Sequence, residues 1–432
     1  MTGIIGIYAF DEIWRMSKFT YYGLLALQHR GQESVGIASY DKHDVKIIEK
    51  EGFVDTAIGE EDIEKLPGWV SLGYVSSRSL GTCMVSIDKP RKAVVCMCNL
   101  EKSEVTREVA SIIAQKLANN EEVSKVIDEV LKTYNQPVTF TAINANGELI
   151  AFRDPLGIKP LCIGSYGFDF GAIASESAAL ECIGADPKRN IRPGELFIFR
   201  PYSIERCRLY NCERKICAFE YIYFARPDSI IDDISIYEFR YSVGVELANE
   251  FPVDADVVIG IPETAIPFAI AYSQAIGKPL HLGFISTGRK YRTAIKPSIF
   301  ERVVGVQLKL NPIKTVFRGR KVVIIDDSMI RGTTTKNVVT MLKNRIGAKE
   351  VHVLVGSPKV THSCPYGMEV PPRDELIAAN LTDEEIASIL NADSLHFLNI
   401  ETLLKVFKKF GVKESEVCMG CFTGNYPKIT LT

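Results

Sequence analysis

The chain has 432 residues, with 51 Lys+Arg against 53 Asp+Glu and a formal charge of −2, too long for one simple core and suited to two or three domains. Apolar residues make up 46% and charged residues 24%, which excludes wholesale disorder, and the balanced charge gives no reason to expect a nucleic-acid partner. No apolar run approaches the roughly 20 residues that span a bilayer, and Met1–Ile7 has no basic segment leading into a long apolar one. A soluble, cytoplasmic protein without a membrane partner is expected.

Short apolar runs bounded by turn residues predict strands at Ile4–Phe10, Val45–Glu49, Gly73–Val75, Ala93–Met97, Phe140–Asn144, Leu149–Arg153, Leu161–Gly164, Ala172–Ser175 and Leu196–Phe199. Apolar residues at helical spacing mark Arg107–Leu117 and Val123–Lys132. Strands outnumber helices, so the first 200 or so residues suggest an α+β layered domain. From about Ser235 the pattern changes. A helix over Tyr237–Phe251 leads to a wholly apolar strand, Asp256–Ile261, and a helical stretch, Pro267–Ile276. The strand Lys321–Ile325, a helix Thr334–Arg345 and the strand Glu350–Gly356 follow. Strands apolar on both faces and alternating with helices predict an α/β unit on a parallel sheet. Thr382–Phe410 reads as helical, and a loop-rich tail closes the chain.

Eleven cysteines in a chain without an export signal make disulfides a poor default. Cys83, Cys96, Cys98, Cys162, Cys182, Cys207 and Cys212 sit in apolar or mixed segments and read as buried thiols. Cys418-Met-Gly-Cys421 is different: two thiols three residues apart are half a site for zinc or an iron–sulfur cluster, and spacing alone does not choose the other ligands.

The most informative segment runs from Val322 to Thr335, VVIIDDSMIRGTTT. A buried strand ends in Asp326-Asp327, and a Gly/Thr-rich turn then opens a helix. Ligands of open α/β sheets bind beyond the carboxyl ends of strands. Backbone N–H groups from Gly332 to Thr335, with three hydroxyls and the helix dipole, suit a dianionic phosphate. Asp326 and Asp327 would face sugar hydroxyls, directly or through Mg²⁺. The Gly-x4-Gly-Lys pattern is missing, so this is not a nucleotide P-loop. An N-capped helix accounts for the threonines but not for two carboxylates at a buried strand end.

This loop resembles the ribose-phosphate loop of type I phosphoribosyltransferases, which bind 5-phosphoribosyl 1-diphosphate (PRPP). The resemblance assigns Asp326, Asp327, Ser328, Arg331, Gly332, Thr333, Thr334 and Thr335 to PRPP. Over its whole length the chain is similar to the glutamine PRPP amidotransferases that open purine synthesis. That match rests on Tyr22–Ser34, Arg153–Leu161, Ala174–Ser177, Phe219–Ser229 and Cys418–Pro427. It implies an N-terminal nucleophile (Ntn) glutaminase-type domain over 1–230, a phosphoribosyltransferase domain over 231–410 and a metal-binding tail over 411–432. It also implies a [4Fe–4S] cluster on Cys217, Cys364, Cys418 and Cys421, with zinc the chemical alternative, and a homo-oligomer.

The chain departs from the family pattern in its front half. The family's nucleophilic Cys is Thr2, which would act through its own α-amine once Met1 is removed. The His-Val-Arg-Tyr segment that anchors glutamine becomes Tyr74-Val75-Ser76-Ser77, and the oxyanion Asn-Gly aligns with Met97-Cys98 beside a retained Asn99-Leu100. Losing one oxyanion donor typically costs about 10²–10³ in rate, so glutaminase activity is expected to be lost. In the back half the pyrophosphate loop becomes Pro262-Glu263-Thr264-Ala265-Ile266-Pro267, with Thr264 able to reach Mg²⁺ and with Gly and Thr replaced by Ala265 and Ile266. The catalytic loop maps to Gly288–Thr293, with Arg292 matching, and Arg302 and Lys309-Leu310-Asn311 match ligand-approaching positions. Arg292 and Lys309 are the expected catalytic cations. The leading expectation is formation of 5-phosphoribosylamine from PRPP and ammonia, the ammonia drawn from solution or a separate glutaminase paralogue. A regulatory PRPP-binding homologue and a glutamine-dependent enzyme using Thr2 are the alternatives.

Overall fold

The computed structural model describes residues 1–42, 44–90, 92–285 and 310–429. The expectations at Gly288–Thr293, Arg292, Arg302 and Lys309 lie outside them.

Two sheets build the first half. One has seven strands and begins with Thr2–Ala9, which pairs antiparallel with both Phe170–Ala174 and Val70–Ser76. The other has six strands and is centred on Phe140–Ile143 and Leu149–Phe152. All eight residues of Thr2–Ala9 are buried, because the strand has cover on both faces. Ile5, Ile7 and Ala9 pack with Met16, Leu24 and Leu27 of the helical layer outside. Ile4 and Tyr8 face the second sheet, meeting Leu149, Phe197 and Phe199. The second sheet's far face packs on helices Ser103–Ala118 and Val123–Tyr134. The result is four layers, helix–sheet–sheet–helix, and its continuous apolar runs follow from two-sided burial.

The second half holds a parallel sheet in chain order: Val257–Gly260, Lys321–Asp326, Glu350–Val355 and Ser394–Phe397. Alternate residues serve opposite faces. Val323, Ile325 and Leu354 face helices Ile236–Glu250 and Ile266–Ile276, while Val322, Ile324 and Val353 face Thr333–Met341 and Asp383–Leu390. The first of these cores continues without a break through Leu156, Ile158, Phe219 and Tyr221 to Phe422.

Two expectations need correction. Thr382–Phe410 is not one helix: helices Asp383–Leu390 and Ile400–Lys409 flank the edge strand Ser394–Phe397. Asn391, left-handed at φ 60°, ends the first helix and turns the chain into the strand. The cysteines predicted to be buried divide, since Cys182 is exposed and Cys207 and Cys212 are only partly covered. The helix Met16–Ala26 and the strand Ser34–Tyr40 were not anticipated from periodicity.

Candidate active site

The strand Lys321–Asp326 delivers its two terminal carboxylates to the carboxyl end of the parallel sheet. Asp326 accepts from the Asp327 N–H at 3.0 Å and from Thr335 Oγ1 at 3.4 Å. Asp327, 7% exposed, accepts from Ser328 Oγ at 2.7 Å and from the Thr264 hydroxyl of the neighbouring loop. Among the described residues neither carboxylate makes an ion pair. Burial, and then the adjacent Asp327 charge, push the Asp326 carboxyl well above the usual carboxylate range. Burial raises Asp327 as well, although its two hydroxyl donors and the Arg240 charge work against the rise.

Gly332 caps the helix that follows in the left-handed region, φ 69°, where glycine avoids the Cβ penalty. The first N–H groups of Thr333–Met341 therefore open beside the carboxylates without intrahelical acceptors. Thr333 and Thr334 are exposed and Thr335 is buried. Arg331 is exposed and its guanidinium donates to Glu375 Oε2 at 2.7 Å. In the facing loop, Ala265 has φ −85° and ψ 0°, and no residue from 262 to 266 has a positive φ. Ala265 therefore lies outside the left-handed region that would favour glycine.

Thr2 sits at the far end of the first sheet, paired directly with Ser76. Its Oγ1 accepts from the Asn99 N–H at 3.2 Å and lies 3.5 Å from Cys83 Sγ. The Cys83 thiol donates to Asn99 Oδ1 at 2.9 Å and touches Ser76 Oγ at 3.3 Å. The Asn99 side-chain amide nitrogen is buried with no hydrogen-bond partner among the described residues. A Cβ on Gly31 would stand 2.3 Å from the Ser76 backbone, so the Gln28–Gly31 turn closes tightly over this end. The structure thus gathers Thr2, Ser76 and Asn99, as the sequence aligned them, and adds Cys83. Burial holds that thiol above its ordinary pKa, which does not favour a thiolate.

The four cysteines named from the resemblance also converge. Ile216–Cys217 and Val417–Cys418 are parallel partners, with Cys217 opposite Cys418. The Cys421 carbonyl accepts from the N–H groups of Thr361 and His362, which docks the tail beside Cys364. Each of Cys217, Cys364 and Cys418 bears electrostatically on Cys421. Among the described residues no three His, Cys, Asp or Glu side chains close around a single ion.

Comparison with known proteins decides the family. A phosphoribosyl transferase domain model matches residues 245–357. The curated amidophosphoribosyltransferase of Methanocaldococcus jannaschii is 35% identical, with 99% of this chain and 98% of that protein covered. That of Archaeoglobus fulgidus is 37% identical with the same coverage. The chain belongs to the amidophosphoribosyltransferase family. The solved glutamine PRPP amidotransferase from B. subtilis, complexed with ADP and GMP, superposes with a TM-score of 0.88 at 34% identity, covering 99% of this chain and 97% of that one. An amidophosphoribosyltransferase is a pentosyltransferase, here an Ntn-type domain joined to a phosphoribosyltransferase domain.

Sequence reasoning missed the charged links within this amidophosphoribosyltransferase fold. Arg30, 2% exposed, donates to Glu176 and, at 2.7 Å, to Glu220 Oε2, tying the Gln28–Gly31 turn to the segment after Cys217. Arg240 is fully buried. It donates to the carbonyls of Tyr221 at 2.9 Å and Ala225 at 2.8 Å, while its Nη1 has no hydrogen-bond partner among the described residues. Both arginines lie in stretches whose apolar periodicity gives no hint of charge burial.

Proposed function

We propose that this chain forms 5-phosphoribosylamine and diphosphate from PRPP and ammonia, and that its N-terminal domain no longer hydrolyses glutamine. The observation that carries the first part is the pair of adjacent carboxylates, Asp327 buried and Asp326 partly so, with no ion-pair partner among the described residues and beside a glycine-capped helix start. Two such carboxylates and the Thr264 hydroxyl suit Mg²⁺, which takes one or two carboxylates and completes its shell with substrate phosphates and water. Mg²⁺, when bound, neutralises charge on the diphosphate. The chain's own groups do the rest. The helix N-terminus and the hydroxyls of Ser328, Thr333, Thr334 and Thr335 hold the 5-phosphate, and Arg331 stands at the rim. Asp326 and Asp327 orient the ribose and stabilise positive charge developing at C1. The C1–O bond to diphosphate breaks as ammonia forms the C1–N bond, and the surplus proton leaves to solvent. Arg292 and Lys309 are proposed to offset charge on the departing diphosphate.

Ser76 beside Thr2 supports the second part. The substrate carboxylate has no guanidinium at that position, and a hydroxyl replaces the thiol. The reading in which Thr2 is a nucleophile draws on the Asn99 N–H at 3.2 Å and its unpartnered side-chain amide. It leaves the anchor unexplained. We further assign residues 1–230, 231–410 and 411–432 to glutaminase-type scaffold, transferase and tail. The chain would assemble as a homo-oligomer, with a glutaminase-competent paralogue as one source of ammonia. The four thiols suit a [4Fe–4S] cluster, since Cys₄ is its usual ligand set. Such a cluster would supply a cross-link pinning the tail to Cys217 and Cys364.

Calorimetric titration with PRPP and Mg²⁺ tests the transferase site. Saturable binding that Asp327→Ala abolishes is expected, and unchanged binding in that variant would refute the assignment.

A further inference from the structure

Lys159 is 4% exposed, and none of the ion pairs among the described residues includes it. Its Nζ donates to Met368 Sδ at 3.6 Å, and a thioether is a weak acceptor. A buried ammonium with no counter-charge is strongly unfavourable. The nearby carboxylates are already engaged. Asp154 accepts from the N–H groups of Leu156, Ile158 and Lys159 and from Thr139 Oγ1. Glu369 pairs with the Met1 amine and with Arg78.

Lys159 is also held in place. Its N–H donates to Asp154 Oδ2 at 3.1 Å and its carbonyl accepts from Arg153 Nε at 2.9 Å. Met368, which its ammonium touches, donates its backbone N–H to Cys364. The ammonium bears electrostatically on Cys364 and Cys418, and on Cys98 and the Met1 amine on the other side. Its neighbour Ile158 lies in the apolar cluster that contains Cys217, Cys418 and Cys421. Among the described residues the four cysteines are a buried or partly buried set able to carry net negative charge and not paired with a cation, whereas Glu101, the other acid that bears on Cys364, is exposed. Four thiolates outweigh the charge of an oxidised four-iron core, which leaves the loaded site anionic.

We propose that Lys159 is the buried counter-ion of the cysteine-held iron–sulfur cluster and raises its reduction potential. The inference rests on the cluster assignment above. Reduction adds one electron to the core, supplied in the assay by dithionite. A fixed positive charge favours the reduced form, and no bond is made or broken.

The test is a dithionite redox titration of the anaerobically purified full chain, followed by EPR and visible absorption, with iron and sulfide analysed in parallel. Lys159→Met removes the charge at similar volume and Lys159→Arg retains it. Lys159→Met is expected to disfavour reduction at least tenfold, about 59 mV for a one-electron couple, with Lys159→Arg moving far less. If Lys159→Met fails to load, Lys159→Gln is measured in the same way. Loading by Lys159→Arg alone supports the proposal, since charge then decides assembly. A loaded Lys159→Met or Lys159→Gln protein with the wild-type midpoint overturns it and leaves the cluster intact, as does equal loss of loading in all three variants. A wild-type protein that takes up zinc and no iron overturns the cluster assignment itself, and the proposal with it.

Discussion

Replacing Asp326 by Asn should abolish transfer yet stabilise the ligand-free protein. Asp326 stands at a buried strand end, and burial and the Asp327 charge raise its pKa from 3.8. The folded state therefore holds a proton that the unfolded chain gives up near pH 4. Stability is complete below that pH and falls as pH rises toward the folded pKa. That pKa is pushed up to about 8, and each pH unit between the unfolded and folded values costs about 1.4 kcal/mol. Against this, Asn keeps the bond from the Asp327 N–H and disturbs the longer contact from Thr335 Oγ1, at about 0.5–1.5 kcal/mol. The net gain is on the order of several kcal/mol at pH 8 and about 1 kcal/mol or less at pH 5. A domain of this size shifts by roughly 2–4 °C per kcal/mol. Thermal unfolding without PRPP or Mg²⁺ at both pH values measures it, alongside pyrophosphate release. The reasoning fails if Asp326→Asn is no more stable than wild type at pH 8, or if the gap does not widen from pH 5 to pH 8.

Gly332→Ala forces a Cβ into a left-handed turn and within 2.9 Å of Ile377 Cδ1, so a loss of about 1 kcal/mol or more and a several-fold rise in KM for PRPP are expected from denaturant and kinetic titrations. Arg30→Met strands Glu220 as a buried unpaired carboxylate and leaves Glu176 with His29, Ser229 and the Arg226 N–H, and should cost about 3–5 kcal/mol, read from the urea midpoint. Thr2→Ala should leave ammonia-driven pyrophosphate release unchanged, and a loss beyond about twofold in initial rate would place Thr2 in the chemistry. Cys217→Ser should remove the visible absorbance expected of the proposed cluster and lower the unfolding temperature, whereas a wild-type spectrum would free Cys217 of a ligand role.

The parallel sheet and its loop were legible in the sequence because two-sided burial writes itself as runs such as Val322–Ile325, and because adjacent carboxylates at such a strand end have no cheap structural explanation. The helix Met16–Ala26 was illegible for the opposite reason. With Thr20, Tyr21, Tyr22 and Gly23 at its centre, it has poor helix formers and is fixed by packing on the first sheet. The strand Ser34–Tyr40, also buried on both faces, escaped because Ser34, Gly36, Ala38 and Ser39 break up its apolar run. At the Thr2 end, alignment brought Ser76 and Asn99 to the right place, but no local pattern could announce that Cys83, some eighty residues on in the chain, would touch Thr2. Lys159 and Arg240 were silent for the same reason: each is a charge whose meaning lies in what the fold leaves unpaired around it.

The most direct test of the account is the nitrogen source. Initial rates of pyrophosphate release from PRPP and Mg²⁺ are measured with NH₄Cl alone and with glutamine alone, and glutamate is followed in the same reactions. The account predicts release with NH₄Cl and neither pyrophosphate nor glutamate above background with glutamine. Stoichiometric glutamate and pyrophosphate from glutamine would contradict it.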